Sequence, residues 1–115
     1  MKPIFYDKKT CGTCKKAQAY LNDKDVQFEI VDIIAHPPER AVLEQFIQAD
    51  DVKSYLNSRS AIYRDKKLGQ NIPDKATAID LMLEDPNLIK RPFIVKGKQG
   101  SFGFNAAEFD QKWTN

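Results

Sequence analysis

Two cysteines three positions apart, Cys11-Gly12-Thr13-Cys14, stand between a short apolar run, Pro3-Ile4-Phe5-Tyr6, and a segment of helical periodicity. A chain so arranged has to place a thiol at the mouth of a helix. After a polar loop over Asp7–Thr10, the spacing predicts a helix from Gly12 to Asn22, with Cys14, Ala17 and Leu21 on one face and Lys15, Lys16 and Gln18 outside. Residues 26–31, Val-Gln-Phe-Glu-Ile-Val, alternate apolar and polar and predict a half-buried strand. The opening therefore reads as strand, helix, strand, with the cysteine pair heading the helix.

The middle has a different texture. Pro37-Pro38 is a natural helix start, and residues 39–48 put Val42, Leu43, Phe46 and Ile47 on one face. A second short helical pattern carries Val52, Tyr55 and Leu56, and residues 58–73 read as mixed and polar, broken by Gly69 and Pro73. Asp74 is placed to cap a helix that runs to Glu84 with Ala78, Ile79, Met82 and Leu83 inward. Strand character returns at Pro92-Phe93-Ile94-Val95, followed by a loop over Lys96–Gly100 and a partner strand, Ser101–Phe104. Asn105-Ala-Ala-Glu108 has the form of a capping box, opening a last helix whose Phe109 and Trp113 are expected in the core. The order β-α-β, helical insert, β-β-α is that of a thioredoxin-like α/β fold, a mixed sheet flanked by helices. A single domain over residues 1–115 is expected, with a core from 1–36 and 91–115 and a helical insertion over 37–90.

A chain of 115 residues has room for one main core, and its 42% hydrophobic and 30% charged content argues for a soluble globular protein. A formal charge of +2 is too weak to predict nucleic acid or a membrane surface as partner, although Lys8, Lys9, Lys15 and Lys16 gather around the cysteines. The N-terminus lacks the apolar run and small-residue cleavage site of a secretory signal, and nothing approaches the roughly 18 apolar residues of a spanning helix. A cytoplasmic monomer is therefore expected. Structural disulfides are rare in that compartment, and cysteines so close together cannot staple a distant loop. A zinc site would need a second CxxC or paired histidines, and His36 is the only histidine, so no metal is expected.

The chemistry then rests on the thiols. The thiolate is the nucleophile, and a free thiol with a pKa near about 8.5 is mostly protonated at neutral pH. Unpaired N–H groups and the positive end of the dipole at a helix N-terminus favour the anion at Cys11, and Lys8, Lys9 and Lys15 are expected to add to that field. Gly12 is expected to let the chain turn tightly, and Cys14 is placed to attack a mixed disulfide at Cys11. Against this stands the plainer reading of two ordinary buried cysteines. Pro92, following Lys90-Arg91, suits the first residue of a strand, and in a thioredoxin-like fold a cis-proline at this place faces the active cysteine. Arg59 and Arg91 carry guanidinium forks that suit carboxylates and oxyanions, as against ordinary ion pairs. Arg40 and Arg64 read as solvated, and His36 as a loop residue with no partner for base chemistry.

Phe5-Tyr6, the cysteine at the helix head, Asn57-Ser58-Arg59, Ile89-Lys90-Arg91-Pro92 and Gly103-Phe104-Asn105 together resemble the ArsC/Spx family, over essentially the whole chain. That family combines a thioredoxin-like fold with a helical insert and holds three functions. Its glutaredoxin-coupled arsenate reductases use one cysteine and three arginines that cradle the oxyanion. By the resemblance, Cys11 matches the nucleophile, Arg59 the first arginine and Arg91 the second, while Phe104 stands at the third. Gly103-Phe104-Asn105 is similar instead to the Spx regulators, which carry CxxC, sense oxidation through it and bind the RNA polymerase α-subunit. It is also similar to a branch of glutathione-dependent thiol reductases, which Tyr55–Arg59 and Ile89–Pro92 resemble most. The resemblance implies a thiol–disulfide oxidoreductase with Cys11 attacking and Cys14 resolving. Arg59, Arg91 and Pro92 would hold the co-substrate. Glutathione is then a co-substrate, with no bound cofactor, or a thiol/disulfide protein is the partner. A redox-sensing regulator that binds the RNA polymerase α-subunit and an arsenate reductase are the alternatives.

Overall fold

A computed structural model of the protein describes residues 2–114. Among them the elements follow in the order β1 (Ile4–Asp7), α1 (Gly12–Asp23), β2 (Glu29–Asp32), α2 (Arg40–Phe46), α3 (Ala61–Asp65), α4 (Lys75–Glu84), β3 (Phe93–Lys96), β4 (Gln99–Phe102) and α5 (Ala106–Lys112), with short 3-10 turns at Val52–Tyr55 and Pro86–Leu88. The chain divides into two compact units, one formed by residues up to Ile33 and from Arg91 onward, the other by Ile34–Lys90.

The first unit is a mixed α/β arrangement, a four-stranded sheet in the order β2-β1-β3-β4 with α1 and α5 packed on it. β1 and β2 pair in parallel, which two consecutive strands can do only through a long crossover, here α1. β3 runs antiparallel to β1, and β4 antiparallel to β3. Lys96 pairs with Gln99, so the hairpin turn is Gly97-Lys98 alone. Gly97 takes a φ of 60°, and with no Cβ it reverses the chain in two residues. The loop expected over Lys96–Gly100 is thereby corrected: β4 begins at Gln99.

Phe5 and Ile94 lie opposite each other in the sheet and meet Cys14, Ala17 and Leu21 of α1 and Phe109 and Trp113 at the end of α5 in one buried cluster. Burying each large apolar side chain is worth about 1.5–3 kcal/mol, so this contact seats both helices on one sheet face. The Trp113 indole N–H donates to Ser101 Oγ at 3.0 Å, which satisfies a hydroxyl that is otherwise buried. On the other face the rings of Tyr6, Phe93 and Phe102 stack in a row, with centroids 5.5 and 4.3 Å apart.

The second strand is shorter than expected. Val26 N–H is bonded to the Leu21 carbonyl at 2.9 Å, closing α1, and Asp25 turns the chain with a φ of 58°. Pairing with β1 starts only where Glu29 N–H reaches the Pro3 carbonyl, at 2.9 Å. At the sheet edge β2 is mostly exposed, Ile30 at 53%, so its apolar alternation does not translate into half-burial.

In the second unit α2 packs on α4. An Arg40–Asp80 ion pair ties them, correcting the reading of Arg40 as merely solvated, and Lys75 Nζ donates to the Glu44 carbonyl at 2.8 Å. α4 begins where expected, because Asp74 Oδ1 accepts the Thr77 N–H at 2.8 Å. Leu43, Ile47, Ala78, Ile79 and Met82 are buried. Leu56 and Ile89 form an antiparallel bridge, flanked by Asn57 N–H to the Leu88 carbonyl (2.7 Å) and Lys90 N–H to the Tyr55 carbonyl (3.0 Å). The stretch 58–73 contains α3, capped by Ser60 Oγ accepting Tyr63 N–H at 3.4 Å. A helix of five residues shows too little of its period to be read from sequence. No helix of the described residues is long and apolar enough to cross a membrane.

Candidate active site

Cys11 is the N-cap of α1. Its backbone is extended and its sulfur accepts the Cys14 N–H at 3.2 Å, doing what a serine or aspartate oxygen usually does at such a position. Its own N–H is bonded to the Lys8 carbonyl at 2.9 Å, which holds the loop against the helix start. The Cys11 side chain is half-buried, whereas Cys14, one turn on, is wholly buried in the core cluster. Both thiols are free.

Arg91 stands in the bend before Pro92 and β3, and its guanidinium donates a hydrogen bond to Cys11. The Arg91–Pro92 peptide is cis, and the buried Pro92 accepts the Gly103 N–H through its carbonyl at 2.9 Å. Cys11, Cys14, Arg91 and Pro92 thus belong to one unit, where Arg91 bonds Cys11 directly.

The two thiols differ sharply in acidity. Burial pushes the Cys11 thiol up, but hydrogen bonds from the Cys14 thiol, the Cys14 N–H and Arg91, with the positive charge of Arg91, outweigh it and leave the pKa below the ordinary thiol value. Burial also pushes Cys14 up, and there the neighbours reinforce it. Cys14 donates to the Cys11 sulfur, and the negative charges of Cys11 and Asp7 disfavour a second anion, against one N–H bond from Lys8. Cys11 is therefore the more acidic thiol and Cys14 the less acidic one behind it.

Two sequence expectations need correction here. The charge that acts on Cys11 is Arg91, not the neighbouring lysines; Lys9 and Lys15 are exposed, where water and salt screen them. Gly12 is simply the first residue of α1, with open space where a Cβ would stand, so no tight turn requires it.

Phe104 is half-buried in an aromatic cluster, its ring 5.4 Å from that of Tyr20 and 4.9 Å from that of Phe109. Tyr20 donates its hydroxyl to Asp110 Oδ1 at 2.5 Å, so this cluster also joins α1 to α5. The sequence reading missed Tyr20, whose only local signal is its place three residues after Ala17 on α1.

Arg59 stands in the other unit, exposed on the turn before α3. Asn57 builds that turn: its Oδ1 accepts the Arg59 N–H at 3.1 Å, its Nδ2 donates to the Asn87 carbonyl at 3.0 Å, and its carbonyl accepts Ser60 Oγ at 2.8 Å. In the run Asn57-Ser58-Arg59 the asparagine is thus the structural member. His36 is exposed.

Residues 6–112 match the profile of the ArsC family. The chain belongs to the ArsC family. It is 27% identical to YusI of Bacillus subtilis, over 98% of this chain and 99% of that one. It is 30% identical to the global transcriptional regulator Spx of Streptococcus agalactiae, over 86% of this chain and 74% of Spx. The crystal structure of an ArsC family related protein from Bacteroides fragilis superimposes with a TM-score of 0.88, covering 96% of this chain and 98% of that one at 24% identity, which establishes the shared thioredoxin-like fold.

In this ArsC-family chain alkylation reads the site directly. Near about pH 7, iodoacetamide should modify Cys11 faster than Cys14, because the anion reacts and the thiol does not. The Cys11 rate should rise with pH and level off earlier than that of an ordinary thiol. Arg91→Gln should displace that profile to higher pH by removing a hydrogen bond and a positive charge from the anion. Peptide mass spectrometry across the pH series is the measurement, and Cys14 reacting first would reverse the roles.

Proposed function

We propose that this ArsC-family protein is a thiol–disulfide reductase of the cytoplasm, with Cys11 as nucleophile and Cys14 as resolving cysteine. The supporting observation is the asymmetry of the pair: a half-exposed, anion-stabilised sulfur at the helix mouth with a buried, protonated thiol one turn behind it. Cys11 thiolate attacks a substrate disulfide, forming a Cys11–substrate disulfide and expelling the other sulfur as a thiolate. The Cys14 sulfur then attacks Cys11 as its proton passes to the departing substrate sulfur, which leaves as the second thiol. The resulting Cys11–Cys14 disulfide returns to two thiols at the expense of two glutathione molecules or a partner dithiol, which leave as a disulfide. Arg91 stabilises the attacking and departing Cys11 anion. Arg91 also supplies a guanidinium group for a carboxylate of an anionic thiol such as glutathione.

The test is mild peroxide. Cys11 thiolate takes one oxygen from peroxide to give the sulfenic acid, and Cys14 condenses with it, releasing water and closing a disulfide. The protein should lose about two mass units and regain them with a dithiol. Persistent sulfinic acid at Cys11 with Cys14 still free would remove the resolving role.

The similarity to Spx of Streptococcus agalactiae favours one second reading. There the same disulfide is a signal, and the output is binding to the RNA polymerase α-subunit. Affinity capture of purified α-subunit by the reduced and oxidised protein, beside a turnover assay, separates the two.

A further inference from the structure

The helical unit Ile34–Lys90 has a pocket of its own, about 360 Å³ in volume and built wholly from residues of that unit. Three of its lining residues are cationic, Arg59, Arg64 and Lys67, with Ser58 and Gln70 as neutral donors and Tyr63 as a wall. Its frame is well tied. Asn57 orders the turn that carries Ser58 and Arg59. Past α3 the chain doubles back at Lys67, which takes a φ of 53°. Its N–H bonds the Arg64 carbonyl, and its own carbonyl accepts the N–H groups of Gln70 and Asn71, each at 3.1 Å. Buried Leu68 anchors the loop, its N–H on the Tyr63 carbonyl at 3.0 Å. At Gly69 a Cβ would meet the Tyr63 hydroxyl at 3.0 Å, so the absent side chain lets the phenol lie against the loop.

The charge balance points to the ligand. Among the described residues Arg64 pairs with Asp65, and no carboxylate forms an ion pair with Arg59 or Lys67. The Arg64–Asp65 pair is loose, at 3.7 Å with both side chains more than 70% exposed. One of three positive charges is thus offset and two remain. The pocket sits at the small end of the range for small-molecule sites, and the two guanidinium forks match the paired oxygens of carboxylate and phosphoryl groups. From this we infer that the pocket binds a small dianion bearing phosphoryl or carboxylate oxygens. This goes beyond the thiol reaction and requires neither cysteine.

The test is an amide-shift titration of the ¹⁵N-labelled protein carrying Cys11→Ser and Cys14→Ser, with pyrophosphate, succinate and acetate at matched ionic strength. Pyrophosphate or succinate should produce saturable shifts concentrated in residues 58–70, and whichever binds tighter identifies a phosphoryl or a dicarboxylate ligand. Acetate should not saturate in the same range. Arg64→Gln and Lys67→Gln should each weaken binding about threefold or more, and together about tenfold. Both side chains are exposed, and the spectrum itself reports that the fold persists. Lys98→Gln, on the hairpin turn, should change nothing. Shifts that fail to saturate, that spread over surface lysines elsewhere, that survive the double variant, or that acetate reproduces at equal strength would each overturn the assignment.

Discussion

Cys11→Ser should lower glutathione-dependent reduction of a small disulfide by on the order of a thousandfold or more, because serine offers no anion at neutral pH and no sulfur to exchange. Cys14→Ser should behave differently. The hydroxyl still donates towards Cys11, so attack proceeds, but nothing within the chain then releases the adduct. A mixed disulfide on Cys11 should accumulate, visible as the mass of the bound thiol, and turnover should become proportional to added glutathione. The split follows from placement: Cys11 is half-buried at the helix mouth and the more acidic sulfur, and Cys14 is wholly buried behind it. Substantial turnover by Cys11→Ser, or no adduct in Cys14→Ser, would contradict the assigned roles.

Arsenate should be a poor substrate, roughly tenfold or more slower than for a family member with three arginines, and Phe104→Arg should recover part of the deficit. The resemblance assigns Arg59 and Arg91 to two oxyanion-holding positions and Phe104 to the third. A phenyl ring has no donor, and one charged hydrogen bond is worth about 1.5–3 kcal/mol, which sets the size of the loss. Phe104 moreover packs edge-on against Phe109 and at a tilt against Tyr20. Such aromatic pairs add about 0.5–1.5 kcal/mol each, so Phe104→Arg should gain activity while unfolding in less urea. Adding Cys14→Ser should raise arsenate turnover further, since Cys14 otherwise captures the Cys11 adduct before glutathione does. Steady-state assays with arsenate, glutathione and glutaredoxin, paired with urea melts, measure both effects. Comparable turnover by the unmodified chain, or no gain in a Phe104→Arg protein that remains folded, would refute the account.

What the sequence determined by itself was whatever is decided within a turn or two of chain. The cysteine pair heads a helix because Cys14, Ala17 and Leu21 repeat at helical spacing behind it; the side-chain oxygens of Asp74 and Asn105 cap α4 and α5 by accepting the N–H groups of Thr77 and Glu108, three residues on. Phe109 and Trp113, four apart, were legible as core for the same reason, and they are buried. Family membership was readable too, from motifs in order along the chain. The tertiary structure decided what depends on partners distant in sequence. β2 starts late because Val26 is spent on closing α1, and β4 starts early because Gly97-Lys98 turns the chain in two residues. Arg64, unremarkable in sequence, joins Arg59 and Lys67 around one pocket because the loop after α3 folds back through Leu68 and Gly69. Above all, Lys8, Lys9 and Lys15 were expected to add to the helix-terminus field at Cys11, yet the charge that acts there is that of Arg91, brought in by the bend before β3. A local run of charges is solvated and screened; acidity at a half-buried sulfur is a balance of desolvation, hydrogen bonds and one close cation, and each of those is set only when the strands and helices have packed.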